Sequence, residues 1–360
     1  MKIKTMTAAA ALLLCIASQA QTFLQPQELP APADIPFAGP DTVSVALIGD
    51  VMMHSRQLEY DFTTFLENIK APLQAATFAV ANMEFPLAGE PYTGYPSFST
   101  PEPYADYVAD CGVDVFLMAN NHLLDRREKG LERTLQYYRV MSDRVSFTGA
   151  ASDPEEMERL NPLMLITRTM RIALVNFTCC TNNAPAADWP SLCYDDKDQI
   201  QKAIRSAKAQ GADFIIALPH WGIEYDLHHS RPQAELAGWL VAQGVNAVVG
   251  AHPHVVQDTT HIGGAPVIYS LGNAVSNMSA INTRLELEVT LRFVRDRGGK
   301  RMLEPQLRFM WCTLPDTLTD SYSTIYVDEW IGRRDCWKDP SDYDNMISTL
   351  HRVKAATGIR

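Results

Sequence analysis

The chain has 360 residues, with 42 acidic side chains against 31 lysines and arginines and a formal charge of −11. It holds no basic cluster that could trace a phosphate backbone, which argues against nucleic acid as a partner. The length suffices for a large α/β core, and no segment past the amino terminus is apolar enough to cross a bilayer.

Met1 to Ala20 reads as an export signal: Lys2 and Lys4, an apolar core from Ala8 to Ala17, and Ser18-Gln19-Ala20 as a small-x-small cleavage site. The mature protein would be secreted to the periplasm or cell envelope. Gln21 to Thr42 carries five prolines and reads as a semi-rigid linker. Beyond it we expect one large α/β unit over residues 43–312 and an extension over residues 313–360 that ends in a helix. Six cysteines follow the signal, and in an oxidising compartment an even number permits disulfides. Cys179 or Cys180 with Cys193, and Cys312 with Cys336, are the short-loop pairings; Cys111 reads as a buried hydrophobe.

Val43 to Ile48 is a nearly continuous apolar run closed by Gly49-Asp50, the pattern of a strand buried on both faces with a carboxylate at its end. A helix is expected from Glu59 to about Leu73. Phe78 to Ala81 repeats the strand and ends in Asn82-Met83-Glu84, followed by a long loop from Gly89 to Pro103. Helix Tyr104–Asp110 leads to the strand Val113–Ala119, then Asn120-Asn121-His122 and Asp125. Three polar side chains directly after a buried strand are hard to explain by packing.

Helix Gly130–Val140, strand Val145–Gly149, a hairpin over Leu163–Ile166 and Arg171–Phe177, and an irregular insertion from Cys179 to Asp196 come next. Helix Asp198–Gln210 precedes an apolar strand from Phe214 that runs into His220-Trp221-Gly222-Ile223-Glu224. Helix Pro232–Gln243 leads to Val248-Val249-Gly250-Ala251-His252-Pro253-His254, where an extended backbone would aim both imidazoles the same way. The strand Pro266–Leu271 ends in Gly272-Asn273. Strict alternation from Leu285 to Phe293 predicts an antiparallel strand exposed on one face, paired with Leu303–Cys312. Past Pro315 the pattern is irregular until Ser341, where Ser-x-x-Asp caps a last helix ending at Gly358.

Every polar cluster thus falls where an apolar strand ends. Asp50, Asn82, Glu84, Asn121, His122, His220, His252 and His254 mix carboxylate, amide oxygen and imidazole, the donor set of Zn, Mn or Fe sites, without the cysteines of a structural zinc. Such a set is about the right size for two divalent ions.

Gly49-Asp50, Asn82-Met83-Glu84, Ala119 to Asp125, His220 to Tyr225, Gln233 to Ala237, Gly250 to His254 and Ser270 to Asn273, in that order between Val43 and Phe293, resemble the CapA family. These are capsule or poly-γ-glutamate synthesis proteins with the calcineurin-like metallophosphoesterase fold. The resemblance implies a four-layer α-β-β-α sandwich and a metal-dependent hydrolase acting on an anionic envelope polymer or a phosphoester, with an envelope polymer-synthesis or export complex as its expected partner. It implies two ions bridged by Glu84, the first held by Asp50 and His254 and the second by Asn121, His220 and His252. His122 would be the acid toward the leaving group, with Asp125 catalytic beside it. Asn82, Trp221, Glu224 and Asn273 would bind substrate; Arg126 and Arg127 add positive charge beside the pocket that would suit an anionic polymer or phosphate, or else only open a solvated helix.

The sequence also departs from that pattern. Met52 stands where the superfamily has a histidine, so the first ion would be weakly held, rescued by His54, or absent. Arg127 replaces a usual glycine and Ala274 a usual aromatic. The alternative function is a non-catalytic assembly protein that grips polymer through a degenerate site.

Overall fold

In the computed structural model, which describes residues 41–360, the first apolar run forms β1 (Asp41–Val51), buried along nearly its whole length. Val43, Val45 and Leu47 enter one core, Ala46 and Ile48 another, which is why the run carries no polar alternation. The expected export signal and all but the last two residues of the linker lie outside the described residues. The single helix expected over residues 59–73 is instead two short 3-10 turns, Ser55–Glu59 and Phe62–Thr64, followed by α1 (Lys70–Ala75). Pro72 explains the difference. It has no N–H for the fourth-preceding carbonyl and fits only a first helical turn, where α1 places it.

β2 (Phe78–Met83), α2 (Glu102–Asp110), β3 (Val115–Leu117), α3 (Arg127–Val140) and β4 (Ser146–Thr148) follow, with β1 to β4 mutually parallel. Before β3, Asp114 accepts the Ala79 N–H at 2.8 Å, and burial pushes its carboxyl up to about 6. An acid raised in the folded state contributes stability below its unfolded pKa and loses it as pH climbs through the folded value. Asp114→Asn keeps the acceptor and removes the charge. We expect it to gain about 1–2 kcal/mol at pH 8 and nothing at pH 4, read by denaturant midpoints at the two pH values.

β5 (Ala150–Ala151) and α4 (Pro154–Leu160) were not anticipated, although Asp153 caps α4 by accepting the Glu156 N–H at 2.8 Å and Pro154 opens it. β6 (Leu163–Ile166) and β7 (Arg171–Thr178) form the expected hairpin. The insertion holds only β8 (Ser191–Leu192), paired with β5. α5 (Lys197–Ala209), β9 (Phe214–His220), α6 (Arg231–Ala242), β10 (Ala247–Val249), β11 (Thr259–Ile262) and β12 (Ala265–Ile268) complete a sheet ordered β11-β12-β10-β9-β7-β6.

The chain then returns to the first sheet with β13 (Leu285–Asp296), β14 (Gly299–Met302), β15 (Gln306–Thr313) and β16 (Ser323–Tyr326). The order there is β16-β15-β13-β1-β2-β3-β4, with β14 beside β13. Two expectations fail in this part. β13 is not exposed on its polar face: Glu286 and Glu288 are buried, the first accepting the Gly49 N–H and the second the Tyr326 hydroxyl. The stretch after Pro315 is not irregular throughout, since it supplies β16 and α7 (Val327–Trp330). α8 (Pro340–Thr357) is capped by Asp339, which accepts the Ser341 N–H at 2.9 Å, rather than by Ser341; Gly358, at φ +72°, ends it.

Three apolar clusters define four layers. One joins α1, α2 and α3 to the outer face of the first sheet; a second fills the space between the sheets; a third joins α5 and α6 to the outer face of the second. This is the α-β-β-α sandwich. All six cysteines among the described residues are free thiols. Cys193 and Cys312 are buried while Cys336 is exposed, so neither expected pairing forms; Cys111 is buried.

Candidate metal centre

The parallel strands deliver their polar residues to one rim. β1 carries Asp50 next to its last residue, β2 runs into Glu84, β3 is followed by Asn120, Asn121 and His122, β9 ends in His220, and His252 and His254 follow β10. Glycine precedes the donors where backbones must touch: a Cβ on Gly49 would sit 2.0 Å from the Gly272 carbonyl oxygen, and one on Gly250 2.2 Å from that of Tyr269. The two histidines of the H-x-H pair do not converge by strand alternation as expected. The strand stops at Val249, and His252 and His254 adopt φ of +99° and +58°, a left-handed backbone that non-glycine residues hold only under tertiary constraint.

Glu84 lies at the focus. Its Oε1, fully buried, has no hydrogen-bond partner among the described residues, yet lies 3.7 Å from His254 Nε2, 3.8 Å from His220 Nε2 and 4.0 Å from His122 Nε2. A buried anionic oxygen left unpaired is costly, and a ring of imidazole nitrogens around it is the cradle of a cation. Donor atoms of Glu84, His220 and His252 lie within 4.8 Å of one another, as do those of Asp50, Glu84 and His254, so Glu84 belongs to both groups. A third such group joins Glu224, which is exposed, to His252 and His254. His54 enters none of them, and Met52 is packed in the core beneath the outer helices.

Neighbouring amides orient these donors. Asn82 donates to Asp50 Oδ1 at 2.7 Å and to Glu84 Oε2 at 3.3 Å, and Asn120 donates to Asn82 Oδ1 at 3.1 Å. Asn121 Oδ1 lies 2.9 Å from His220 Nε2. His254 Nδ1 lies 2.9 Å from Asn273 Oδ1 and 3.2 Å from Asp50 Oδ2, so Nδ1 carries a proton and Nε2 is the nitrogen turned toward Glu84. His122 Nδ1 is 2.7 Å from Asp125 Oδ2, which also accepts the Phe98 N–H at 2.9 Å.

The charges cannot all coexist. Burial, then the nearby Asp50, raises the Glu84 carboxyl well above its ordinary range. Burial also raises Asp50, but the hydrogen bond and charge of His254 outweigh it and bring Asp50 to about 2. Burial and the adjacent His252 push His220 well down, and burial with His254 brings His252 to about 4. His254 rises despite burial because Asp50 holds it. Without a cation the pocket thus settles into the Asp50–His254 ion pair, a protonated Glu84 and neutral imidazoles at His220 and His252, the state from which a metal displaces protons.

Other candidates sit elsewhere than expected. Trp221 is in the core under α6, 3% exposed, its indole N–H donated to the Tyr269 carbonyl at 2.9 Å, so it faces no substrate. Asn82 and Asn273 are fully buried behind the donors. Arg126 donates to Thr93 Oγ1 and the Phe98 carbonyl, and Arg127 to the Ala184 carbonyl at 3.0 Å; each guanidinium ties down a loop. Sequence reasoning missed Asn182, whose Nδ2 lies 3.2 Å from His122 Nδ1 and whose N–H donates to the Asn121 carbonyl at 2.9 Å. It also missed the rim tyrosines, Tyr95 against His122 and Tyr225 against His254, each with ring centroids 6.4 Å apart.

Two stacked sheets between helix layers, with carboxylate, amide and imidazole donors gathered at the strand ends, define a metallophosphoesterase-like sandwich whose pocket could hold metal. A candidate 5'-nucleotidase from Staphylococcus aureus shares this fold over 74% of the chain at 13% identity and a TM-score of 0.51, and this chain spans 54% of that structure. A calcineurin-like phosphoesterase from Bacillus subtilis aligns over 75% of this chain and 90% of its own, at 15% identity and a TM-score of 0.45.

The chain belongs to the bacterial capsule synthesis protein PGA_cap family, whose model matches residues 44–278. Among its relatives are the capsule biosynthesis protein CapA of Bacillus anthracis, 26% identical over 79% of this chain and 72% of that protein, and the PGA biosynthesis protein CapA of Bacillus subtilis, 25% identical over 74% and 71%. Among the described residues no helix is long and apolar enough to cross a membrane.

Proposed function

We propose that this chain is an exported, CapA-type metal-dependent hydrolase of the cell envelope that acts on an anionic polymer such as poly-γ-glutamate, or on a phosphoester. The observation that carries this reading is the unpaired, buried Glu84 Oε1 among three imidazole Nε2 atoms. Two ions of the Mn, Fe or Zn class would be held, one by Asp50, Glu84 and His254 and the other by Glu84, Asn121, His220 and His252. Bound there, such ions supply Lewis acidity and a water that ionises near neutral pH.

The chain's own groups would do the rest. With Nδ1 held by Asp125, His122 keeps Nε2 for the proton that the leaving oxygen needs, and Asp125 stabilises the imidazolium. Because Arg126 and Arg127 are engaged with the loops, the negative charge of a substrate would be met by the metal rather than by arginine. Tyr95 and Tyr225, at 70% and 48% exposure and beside His122 and His254, give the mouth an aromatic rim for the flanking part of the substrate.

Asp125→Asn is expected to lower turnover by about 10²- to 10³-fold with unchanged metal content, because the imidazole loses the partner that sets its tautomer. Steady-state kinetics beside elemental analysis of the same preparations checks this. The decisive experiment assays aryl phosphates and γ-linked glutamate oligomers side by side with Mn, Fe and Zn. Turnover of either, lost on chelation, supports hydrolysis. Metal uptake or polyglutamate binding without turnover of either overturns it. That outcome leaves the assembly reading, which Met52 favours: its side chain is buried in the core and gives the first ion no ligand.

A further inference from the structure

The insertion that follows β7 begins with two adjacent cysteines that the metal chemistry does not use. Cys179 Sγ donates to Cys180 Sγ at 3.3 Å, and Cys180 is exposed while Cys179 is half-buried. Neither pairs with Cys193, whose thiol is buried and accepts the Asn161 side-chain amide at 3.0 Å. The backbone around the pair is held: the Cys179 N–H donates to the His220 carbonyl at 3.0 Å, and the Cys180 carbonyl accepts the Thr178 hydroxyl at 2.9 Å. Two residues further on, Asn182 bonds to Asn121 and touches His122.

From the contact between the two sulfurs and the exposure of the second, we infer that Cys179 and Cys180 form a site of reversible covalent modification, closing to a vicinal disulfide with a small-molecule disulfide such as oxidised glutathione. The exposed Cys180 thiolate attacks one sulfur of the oxidant, forming a mixed disulfide and releasing the first thiolate. Cys179 then loses its proton and attacks Cys180 Sγ, forming the intrachain bond and releasing the second thiolate. Two thiol protons and two electrons leave the protein, and the oxidant becomes two thiols. The hydrogen bond from Cys179 helps by holding the Cys180 thiol down to about 7. A bond between neighbours in the chain closes a small, strained ring, which makes it readily reducible and suits a reversible mark rather than a structural staple. Closing the ring pulls on the segment that carries Asn182, so the modification is felt at His122.

The test equilibrates the purified full chain with oxidised glutathione and maps the thiols by peptide mass spectrometry, with the His122 imidazole followed by NMR. Cys193 shares the same tryptic peptide, so wild type is compared with Cys193→Ser, Cys179→Ser and Cys180→Ser. Expected is a loss of two hydrogens from the peptide in wild type and Cys193→Ser, reversed by dithiothreitol and accompanied by a shift of the His122 ring resonances. Cys179→Ser should stop at a stable glutathione adduct on Cys180. Three results would overturn the inference: a glutathione adduct that persists in wild type, a loss of hydrogens that disappears in Cys193→Ser, or no reaction. None of these depends on whether the protein is a hydrolase.

Discussion

Replacing Glu84 by glutamine is expected to lower metal affinity by more than about 100-fold while making the metal-free protein more stable at alkaline pH. Both effects follow from the same carboxylate. In the empty pocket it is buried beside Asp50 with one oxygen unpaired, and its pKa stands well above the unfolded value of 4.5. Such a group contributes stability below pH 4.5 and loses it as pH rises toward the folded pKa, because the unfolded chain releases its proton first. Glutamine fills the same space without the charge. Melts under chelation should therefore place Glu84→Gln near wild type at pH 4 and above it by about 1–3 kcal/mol at pH 8. Addition of Mn or Zn should reverse the order, since only wild type gains the linkage term from ion binding. A variant that binds metal as tightly as wild type would remove Glu84 from the centre of the site.

The positions of these groups along the chain were legible because buried parallel strands announce themselves. Runs such as Val43–Ile48, Phe78–Ala81 and Phe214–Leu218 carry no polar alternation, so the first polar residue after each marks a strand end, and in an α/β sheet those ends share a rim. What the polar residues do there was less legible. His220-Trp221-Gly222 reads as a uniform cluster, but the strand carries His220 into the pocket and turns Trp221 into the core. No periodicity encodes the positive φ of His252 and His254, which arises only where the loops of both sheets meet. Asn182 lies in an irregular insertion far from its partner His122 in sequence, and Glu286 on β13 alternates like a solvent-facing residue although it is buried and accepts the N–H of the distant Gly49. In each case the deciding partner is remote in the chain, which local pattern cannot register.

The same limit hid the strongest anchor of the carboxyl-terminal helix, and breaking it should have the largest stability effect outside the pocket. Arg284 and Asp342 form a buried bidentate pair, Nη1 to Oδ1 at 2.6 Å and Nη2 to Oδ2 at 2.7 Å. The guanidinium also donates to the Cys312 carbonyl at 2.9 Å and lies 4.3 Å over the Trp311 ring. Asp342→Ala leaves that cation buried without its counter-charge and is expected to cost about 3–5 kcal/mol, whereas Arg284→Met with Asp342→Leu should recover most of the loss. Denaturant unfolding of the single and double variants checks the sign. The damage should also travel. The Thr283 carbonyl, next to Arg284, accepts the Asn273 side-chain amide at 3.1 Å, and Asn273 Oδ1 fixes the proton on His254 Nδ1. Asp342→Ala should therefore weaken ion binding by about 10-fold even where it remains folded, as expected for a partner behind a ligand. Metal titration below the unfolding transition measures this, and unchanged affinity in a measurably destabilised variant would show that α8 supports the sheet without steadying His254.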